Sequence, residues 1–439
     1  MNGPSTIAAI ATGPARGGIG VLRISGPLAI EAARRVVPAL SPSPAPRHAY
    51  FLPFTDGAGA VVDEGVALYF QAPASFTGED VVELHAHGAP RLLQLLLEVV
   101  TALPGARVAE AGEFTRRAFL NGRIDLTRAE AVADLIAADS EAAVRAAAAQ
   151  LAGALSAQLR AVRTPLVELH ADLEAALDFP EESEGTEVET SKRLGAALEA
   201  LKALRDQGRR GALIRRGLHV VLYGPVNSGK STLFNRMIGT DRALVDEAPG
   251  TTRDALEARL EWDGLQVTLV DTAGLRASPE RLEARGIERT RQALKGADLA
   301  VLLLPPEASA GDAAGWRQEA SQAIRIDVYG KADLRPAPAG GFGVSGQSGA
   351  GVYALRSRML EAVGYRRAEA VALSSSRHLE AMDRAVEALE RAVAAQQGST
   401  LEVVAGETAA ALQLLAEITG EDARTELIDA IFQRFCIGK

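Results

Sequence analysis

The sequence predicts a chain of mixed class: an N-terminal α+β domain over residues 1–120, a helical domain assembled from residues 121–215 and 373–439, and a doubly wound α/β domain, residues 216–372, inserted into the helical one. Three observations lead there. Short β-rich runs parted by turn clusters fill the N-terminal section. Ala/Leu/Glu-rich stretches with apolar residues at helical spacing occupy residues 126–177 and return after Ser374. Between them, from Gly217 to about Ala370, strand-like runs alternate with helices, as in a parallel sheet. Helix patterns on the two flanks need each other's apolar faces, so one interrupted helical domain is preferred to two independent ones.

The bulk numbers agree with a chain of about two to four domains. Of the 439 residues, 47% are hydrophobic and 23% charged, enough for ordinary buried cores. No run approaches the roughly 18 apolar residues of a membrane span; Leu92–Leu97 and Leu299–Leu304 read as core helix and buried strand. The start, MNGPSTIAAIATGPARGG, lacks a basic stretch followed by an apolar one, so no secretory signal is expected. One cysteine excludes an intramolecular disulfide framework and a Cys-based zinc site, and a cytoplasmic setting is expected. With a net charge of −9, any nucleic-acid contact must come from local patches; the basic runs Arg205–Arg216 and Arg116–Arg128 are the candidates, although charge runs are usually solvated faces.

In the N-terminal section, Ile19–Ile24, Val66–Phe70 and Val81–His85 read as strands, Pro90–Leu103 as a helix and SPSPAPR at 41–47 as a loop. Thr127 and Glu130 form a capping box for the Ala-rich stretch, which Pro165 is expected to break or kink into two helices. An acidic segment, PEESEGTEVET at 180–190, precedes a helix over Lys192–Gln207 that ends in Arg209-Arg210-Gly211. Beyond Ser374, helices are expected over Arg377–Gln397, Leu401–Thr419 and Ala423–Phe435, and no internal repeat is visible.

Chemistry concentrates in the α/β section. Strand Leu218–Tyr223, then Gly224-Pro-Val-Asn-Ser-Gly229-Lys230-Ser231, then helix Thr232–Ile238 make a GxxxxGKS phosphate loop in its required context. Backbone N–H groups curl round phosphates there, Lys230 reaches the β/γ-phosphates and Ser231 ligates Mg²⁺. Strand Leu265–Val270 leads into Asp271-Thr-Ala-Gly274, where Asp271 holds the metal through water and Gly274 offers its N–H to the γ-phosphate. Pro249-Gly-Thr-Thr-Arg-Asp254 is switch-like, with Thr252 completing the Mg²⁺ shell. Three motifs in this order predict nucleotide hydrolysis and resemble the translation-factor-like class of P-loop GTPases. The base-reading stretch is spelled Gly330-Lys331-Ala-Asp333, where Asn-Lys-x-Asp is usual, and Ser345-Gly346 stands where Ser-Ala is usual. Asp333 still offers a bidentate carboxylate to guanine, the Lys331 stem can cover the base, and Gly346 keeps its backbone N–H. GTP preference should persist with affinity weakened by about 1–2 kcal/mol. Leu275 occupies the place of a water-orienting Gln, so the hydrolytic group lies elsewhere; Arg276 reads as a solvated side chain, and Asn227 is suited to hold a monovalent cation.

Together the motifs resemble the tRNA-modification GTPases of the MnmE (TrmE) family, over Ser5 to Lys439. The resemblance is carried by Gly17-Gly-Ile-Gly-Val-Leu-Arg-Ile-Ser-Gly26, by Ser75-Phe-Thr-Gly-Glu-Asp80 through Gly88, by Gly112-Glu-Phe-Thr-Arg-Arg-Ala-Phe-Leu-Asn-Gly-Arg-Ile-Asp-Leu126 and by the end Phe435-Cys-Ile-Gly-Lys439. It implies GTP contacts at Asn227, Ser228, Gly229, Lys230, Ser231, Thr232, Asp246, Thr251, Asp271, Gly274, Lys331, Asp333, Ser345 and Gly346. It further implies K⁺ held by Asn227, Asp246, Ala248 and Thr251, with Glu283 orienting the water alongside Asn227 and Lys230. Dimerisation through the N-terminal domain is implied, as is a heterotetramer with an MnmG-type FAD-binding protein acting on the wobble uridine of certain tRNAs. A 5-formyltetrahydrofolate or related one-carbon donor would meet Arg23, Glu83, Arg123 and Lys439; Arg123 is Lys in many relatives, which keeps the charge and changes the donor geometry.

Two further readings accompany these. Glu83, His85 and His87 share one strand face, which invites a metal, but only three ligands occur and the pterin role of Glu83 is better supported. Cys436 stands four from the end, yet Gly438 and Lys439 do not fit a prenylation signal. The alternative from another class is a ribosome-assembly type GTPase, which would need a basic GxxG-containing RNA-binding module after the α/β domain, where this chain has acidic helix.

Overall fold

The computed structural model describes residues 5–179, 187–240, 257–272, 290–308, 310–320, 323–366, 375–396, 400–421, 425–433, 435, 436 and 438. By compactness the chain divides into residues 1–133 with 409–439, and residues 134–408.

In the first unit, β1 (Thr6–Ile10), β2 (Gly17–Ser25), β3 (Ala49–Thr55), β4 (Val61–Phe70), β5 (Val81–Gly88) and β6 (Ala106–Val108) form a 6-stranded sheet in the order β3-β4-β5-β2-β1-β6. All neighbours are antiparallel except β1 and β6. Helices α1 (Ala29–Val36) and α2 (Pro90–Thr101) cover one face, where Leu22, Ile24, Val82, Leu84, Leu93, Leu96 and Val100 are buried together. Period-two alternation in β2 and β5 leaves Arg23 and Glu83 on the other face, directly opposite one another. Helix α3 (Glu113–Leu120) carries Glu113 and Arg117 into a buried polar network. Glu113 pairs with Arg107 at 2.6 Å and with Arg117 at 2.9 Å, Arg117 pairs with Glu79 at 3.0 Å, and Glu79 accepts from Ser25 Oγ at 2.6 Å.

The chain end belongs to this unit. Helix α13 (Thr425–Phe432), numbered in chain order, packs on α3, and Phe432 and Phe435 join Leu126 and Ala129 in one apolar cluster. The Gly112 N–H donates to Cys436 O at 3.3 Å, and Gly438 rests on the Ile10–Ala11 backbone. The tail thus lies on the N-terminal sheet domain of its own chain.

In the second unit, β7 (Leu218–Tyr223), β8 (Glu257–Trp262), β9 (Leu265–Asp271), β10 (Leu299–Leu304) and β11 (Ile324–Tyr329) form a 5-stranded sheet, order β11-β10-β7-β9-β8, parallel except for β8. Leu299, Val301 and Leu303 face the cluster that includes α8 (Lys230–Thr240) and α10 (Val352–Ala362). Ala300, Leu302 and Leu304 face the opposite cluster with α9 (Ala310–Glu319). Burial on both faces explains why β10 reads as an unbroken apolar run. The helical part of this unit comprises α5 (Glu141–Leu151), α6 (Ala154–Asp178), α7 (Glu187–Arg216) and α11 (Ser376–Ala395), whereas α4 (Leu126–Ile136) and α12 (Leu401–Thr419) are each divided between the two units. Helix α7 packs on α6 and on α11.

Three local expectations give way. Pro165 does not break α6, because it sits on the exposed side, where water can satisfy the Ala161 carbonyl, while Leu155, Leu159, Val162, Leu166, Leu169 and Leu173 keep one stripe buried. Helix α7 runs on through buried Gly208 and Gly211 to Arg216 instead of ending near Gln207. Asp125, not Thr127, begins α4: its Oδ1 accepts from the Arg128 N–H at 2.9 Å and from Thr127 Oγ1 at 2.7 Å. Among the described residues no helix is long and apolar enough to cross a membrane.

Burial by itself would raise the Glu113 carboxyl, but hydrogen bonds from Arg107, the Glu110 N–H and Arg117 hold it below its ordinary value. Stability lent this way is complete above the usual carboxylate pKa of about 4.3 and disappears as pH falls through the folded value. Arg117→Ala should cost about 3–5 kcal/mol in urea melts at about pH 7, the usual penalty for stripping one partner from a buried pair. Glu113→Gln should lose less further stability than wild type on acidification to about pH 3; an unchanged acid limb would mean the network is not what titrates.

Candidate functional site

Strand β7 delivers Gly224 at the carboxyl edge of the sheet, and the loop closes with Leu233 N–H donating to Gly229 O as α8 begins. Asn227 takes a left-handed φ of 62°, a conformation that Asn tolerates better than most residues. The Lys230 side chain is 5% exposed and donates to Gly224 O at 3.0 Å and Pro225 O at 2.7 Å, so its ammonium lies within the loop. Ser231 Oγ donates to Asp271 Oδ2 at 2.7 Å, across from the end of β9. One hydroxyl and one carboxylate oxygen on separate elements suit a hard divalent cation that keeps waters and takes its remaining ligands from phosphate. The Thr272 N–H and Oγ1 both donate to Leu222 O, at 3.3 and 2.9 Å, which locks Asp271 beside the loop.

The residues expected to read the base gather at the same edge. Gly330 N–H donates to Leu304 O at 2.8 Å and Ala332 N–H to Val344 O at 3.0 Å. Lys331, at φ 57°, and Asp333 are both exposed, and among the described residues the Asp333 carboxylate has no hydrogen-bond partner. Ser345 is fully buried, its Oγ accepting from the Ser348 N–H at 3.0 Å. Arg236 of α8 donates to Gly346 O at 2.8 Å and to Gln347 O, a clamp that no sequence signal announced. Thr232 lies exposed in the first turn of α8. Asp246, Ala248, Thr251, Thr252, Gly274 and Glu283 lie outside the described residues.

On the N-terminal sheet the structure brings Arg23 and Glu83 together at 2.9 Å, each less than one-fifth exposed. The Arg23 guanidinium carbon lies 5.8 Å from the ring centres of both Phe76 and Phe114. These rings were not singled out in the sequence, although each sits inside a quoted motif. The Arg123 stem runs against Gly78, in the loop that presents Phe76. Lys439 lies outside the described residues. Carboxylate, guanidinium and aromatic faces suit a planar hydrogen-bonding heterocycle. The metal reading of Glu83, His85 and His87 does not hold together. His85 Nε2 lies 3.4 Å from Glu83 Oε2, His87 pairs instead with Asp63 at 2.7 Å, and no metal-ligating group of three occurs among the described residues.

Much of the basic charge flagged in the sequence is spent internally. Arg209 pairs with Asp383 at 3.0 Å, Arg215 with Asp134 at 2.7 Å, Arg216 with Asp298, and Arg116 with Asp429 at 2.9 Å.

A lysine among loop carbonyls and a serine facing an aspartate at the end of the neighbouring parallel strand are the arrangement of P-loop GTPases, and the chain falls in that class. Family models described as the MnmE helical domain and the GTP-binding protein TrmE N-terminus match residues 126–436 and 6–123. The chain is 56% identical to the tRNA modification GTPase MnmE of Myxococcus xanthus (strain DK1622), over 99% of each chain. It is 46% identical to that of Azoarcus sp. (strain BH72), over 99% of this chain and 98% of the other. The chain therefore belongs to the tRNA modification GTPase MnmE family. A solved G domain of the T. maritima FeoB iron transporter aligns at 21% identity over 33% of this chain and 98% of that one, but its TM-score of 0.25 carries no argument.

Lys230→Ala should raise the Kd for GTP roughly 10- to 100-fold, since one or two charge-assisted bonds to phosphate are each worth about 1.5–3 kcal/mol. Ser231→Ala should retain nucleotide in EDTA yet lose most of the added affinity that Mg²⁺ gives wild type; equal Mg²⁺ dependence in both would remove Ser231 from the metal shell.

Proposed function

We propose that the protein hydrolyses GTP with K⁺ stimulation and, with an MnmG-type FAD-binding protein, installs an aminomethyl-type group at C5 of the wobble uridine of certain tRNAs. The one-carbon unit would come from 5-formyltetrahydrofolate or a related tetrahydrofolate. The observation that carries this reading is the Arg23–Glu83 pair beneath two phenyl rings, in the same chain as a complete phosphate loop. A GTPase that only attaches to RNA has no use for such a grouping of carboxylate, guanidinium and rings. In this reading Glu83 accepts pterin N–H groups, while Arg23, Arg123 and Lys439 hold the anionic portion. Asn227, left-handed in the phosphate loop, and Asp246, Ala248 and Thr251 would together hold K⁺. Lys230, Ser231 and Thr252 serve phosphate and Mg²⁺, and Glu283 orients the attacking water.

The α/β section, residues 216–372, is read as an insertion into a helical domain, supported by the packing of α7 against α11 from its two flanks. A homodimer through the N-terminal domain and a heterotetramer with the flavoprotein complete the proposed assembly, in a cytoplasmic setting.

The deciding experiment is steady-state hydrolysis of GTP, XTP and ATP in KCl and in NaCl, with nucleoside analysis of tRNA incubated with the FAD-binding partner and formyltetrahydrofolate. GTP-selective turnover that rises about tenfold or more in K⁺, and falls about 100-fold or more in Glu283→Ala, is expected. Modified uridine should form with wild type and not with Glu83→Ala. Turnover indifferent to K⁺, together with nucleotide-dependent ribosome attachment and no uridine product, would favour a ribosome-assembly type GTPase.

A further inference from the structure

The base loops carry glycine at two places where guanine-nucleotide enzymes usually carry side chains, and the structure gives both the same physical reason. A Cβ on Gly330 would lie 2.2 Å from the Ser228 carbonyl oxygen, in the phosphate loop. A Cβ on Gly346 would lie 2.7 Å from the Leu233 nitrogen and 2.8 Å from the Thr232 carbonyl oxygen, in the first turn of α8. Real β-carbons essentially never come within 3.0 Å of other atoms, and these neighbours are backbone, which cannot swing aside as a side-chain end can. Neither glycine has a left-handed φ, so close approach and not backbone freedom is what excludes a side chain.

Both contacts are held from behind. The Gly330 N–H is tied to Leu304 O, so the loop cannot lift away from β10 without losing that bond. Gly346 O is held by Arg236, which springs from the helix on which Gly346 rests. In an ordinary base loop the Asn side chain does two things: it donates to the N7 edge of guanine, and it ties the loop to the phosphate loop. Here direct backbone contact with Ser228 takes over the tie, and it leaves no room for the amide.

We propose that Gly330 and Gly346 are specificity-determining positions that act by having no side chain. They seat both base loops on the backbone of the phosphate loop and α8, and guanine is then read by two groups alone. The exposed Asp333 carboxylate takes N1–H and the 2-amino group, and the Gly346 N–H, which has no acceptor among the described residues, donates to the carbonyl oxygen. Nothing reads N7. This rests on the guanine-nucleotide reading of the site, and it reverses the simple expectation that restoring Asn would restore affinity.

The test measures affinities of the full-length wild type for GDP, 7-deaza-GDP, XDP and ADP by calorimetry, and of Gly330→Asn, Gly330→Ala and Gly346→Ala for GDP, with thermal melts of each. Wild type should bind GDP and 7-deaza-GDP within about twofold, because N7 has no donor to lose. Each variant should bind GDP about tenfold more weakly or worse, with Asn no better than Ala at position 330. A wild-type preference of about tenfold for GDP over 7-deaza-GDP overturns the proposal, as does a Gly330→Asn protein that binds GDP as tightly as wild type. If a variant melts as unfolded, the wild-type comparison decides. Failure of the guanine reading itself looks different: ADP or XDP would then bind as well as GDP.

Discussion

The parallel register of β7, β9, β10 and β11 determines where every piece of nucleotide chemistry can stand, because parallel strands deliver their carboxyl ends to one edge. Leu222 pairs with Asp271, Tyr223 with Leu302, and Leu304 with Tyr329. The residues at or just after these ends are therefore neighbours: the phosphate loop, Asp271 and the loop of Gly330 to Asp333. A register slip of one residue in β10 would exchange the side chains packed into its two buried faces, so the core that fixes the sheet also fixes the site.

Crowding at that edge has a second effect. Three loops and the start of α8 converge within backbone contact, and wherever two main chains touch there is no volume for a β-carbon. Polar groups are satisfied locally instead: Thr272 on Leu222 O, Gly330 on Leu304 O, Ala332 on Val344 O. Asp333 and Lys331 stay exposed at the rim, where a base can reach them.

The N-terminal unit solves a different problem. Its motifs carry the family resemblance in sequence, yet Glu113 and Arg117, with Glu79, Ser25 and Arg107, are committed to one another. That network fastens α3 and the loop after β4 to the sheet, and so holds Phe114 and Phe76 around Arg23. Charged residues in a motif can thus be a frame while their neighbours surround Arg23. Spacing does not separate the two roles, since both kinds of residue occur side by side in the same strings.

By itself the sequence determined several of the elements and the order of the phosphate-site motifs, because these depend on short-range periodicity, on the glycine-rich loop and on the residue types that phosphate demands. Leu401–Thr419 as one helix and Leu218–Tyr223 as a strand follow from pattern alone. Tertiary structure alone decided that Pro165 is tolerated, since tolerance depends on which side of α6 faces water, and that α7 continues past two glycines. It also decided that Phe435, Cys436 and Gly438 rest on the N-terminal unit, and that most flagged arginines are paired. The glycine at 330 is the clearest case. In sequence it is a missing amide, a loss, whereas in three dimensions it is the one residue that fits against the Ser228 carbonyl, because contact between residues a hundred positions apart leaves no trace in local spacing.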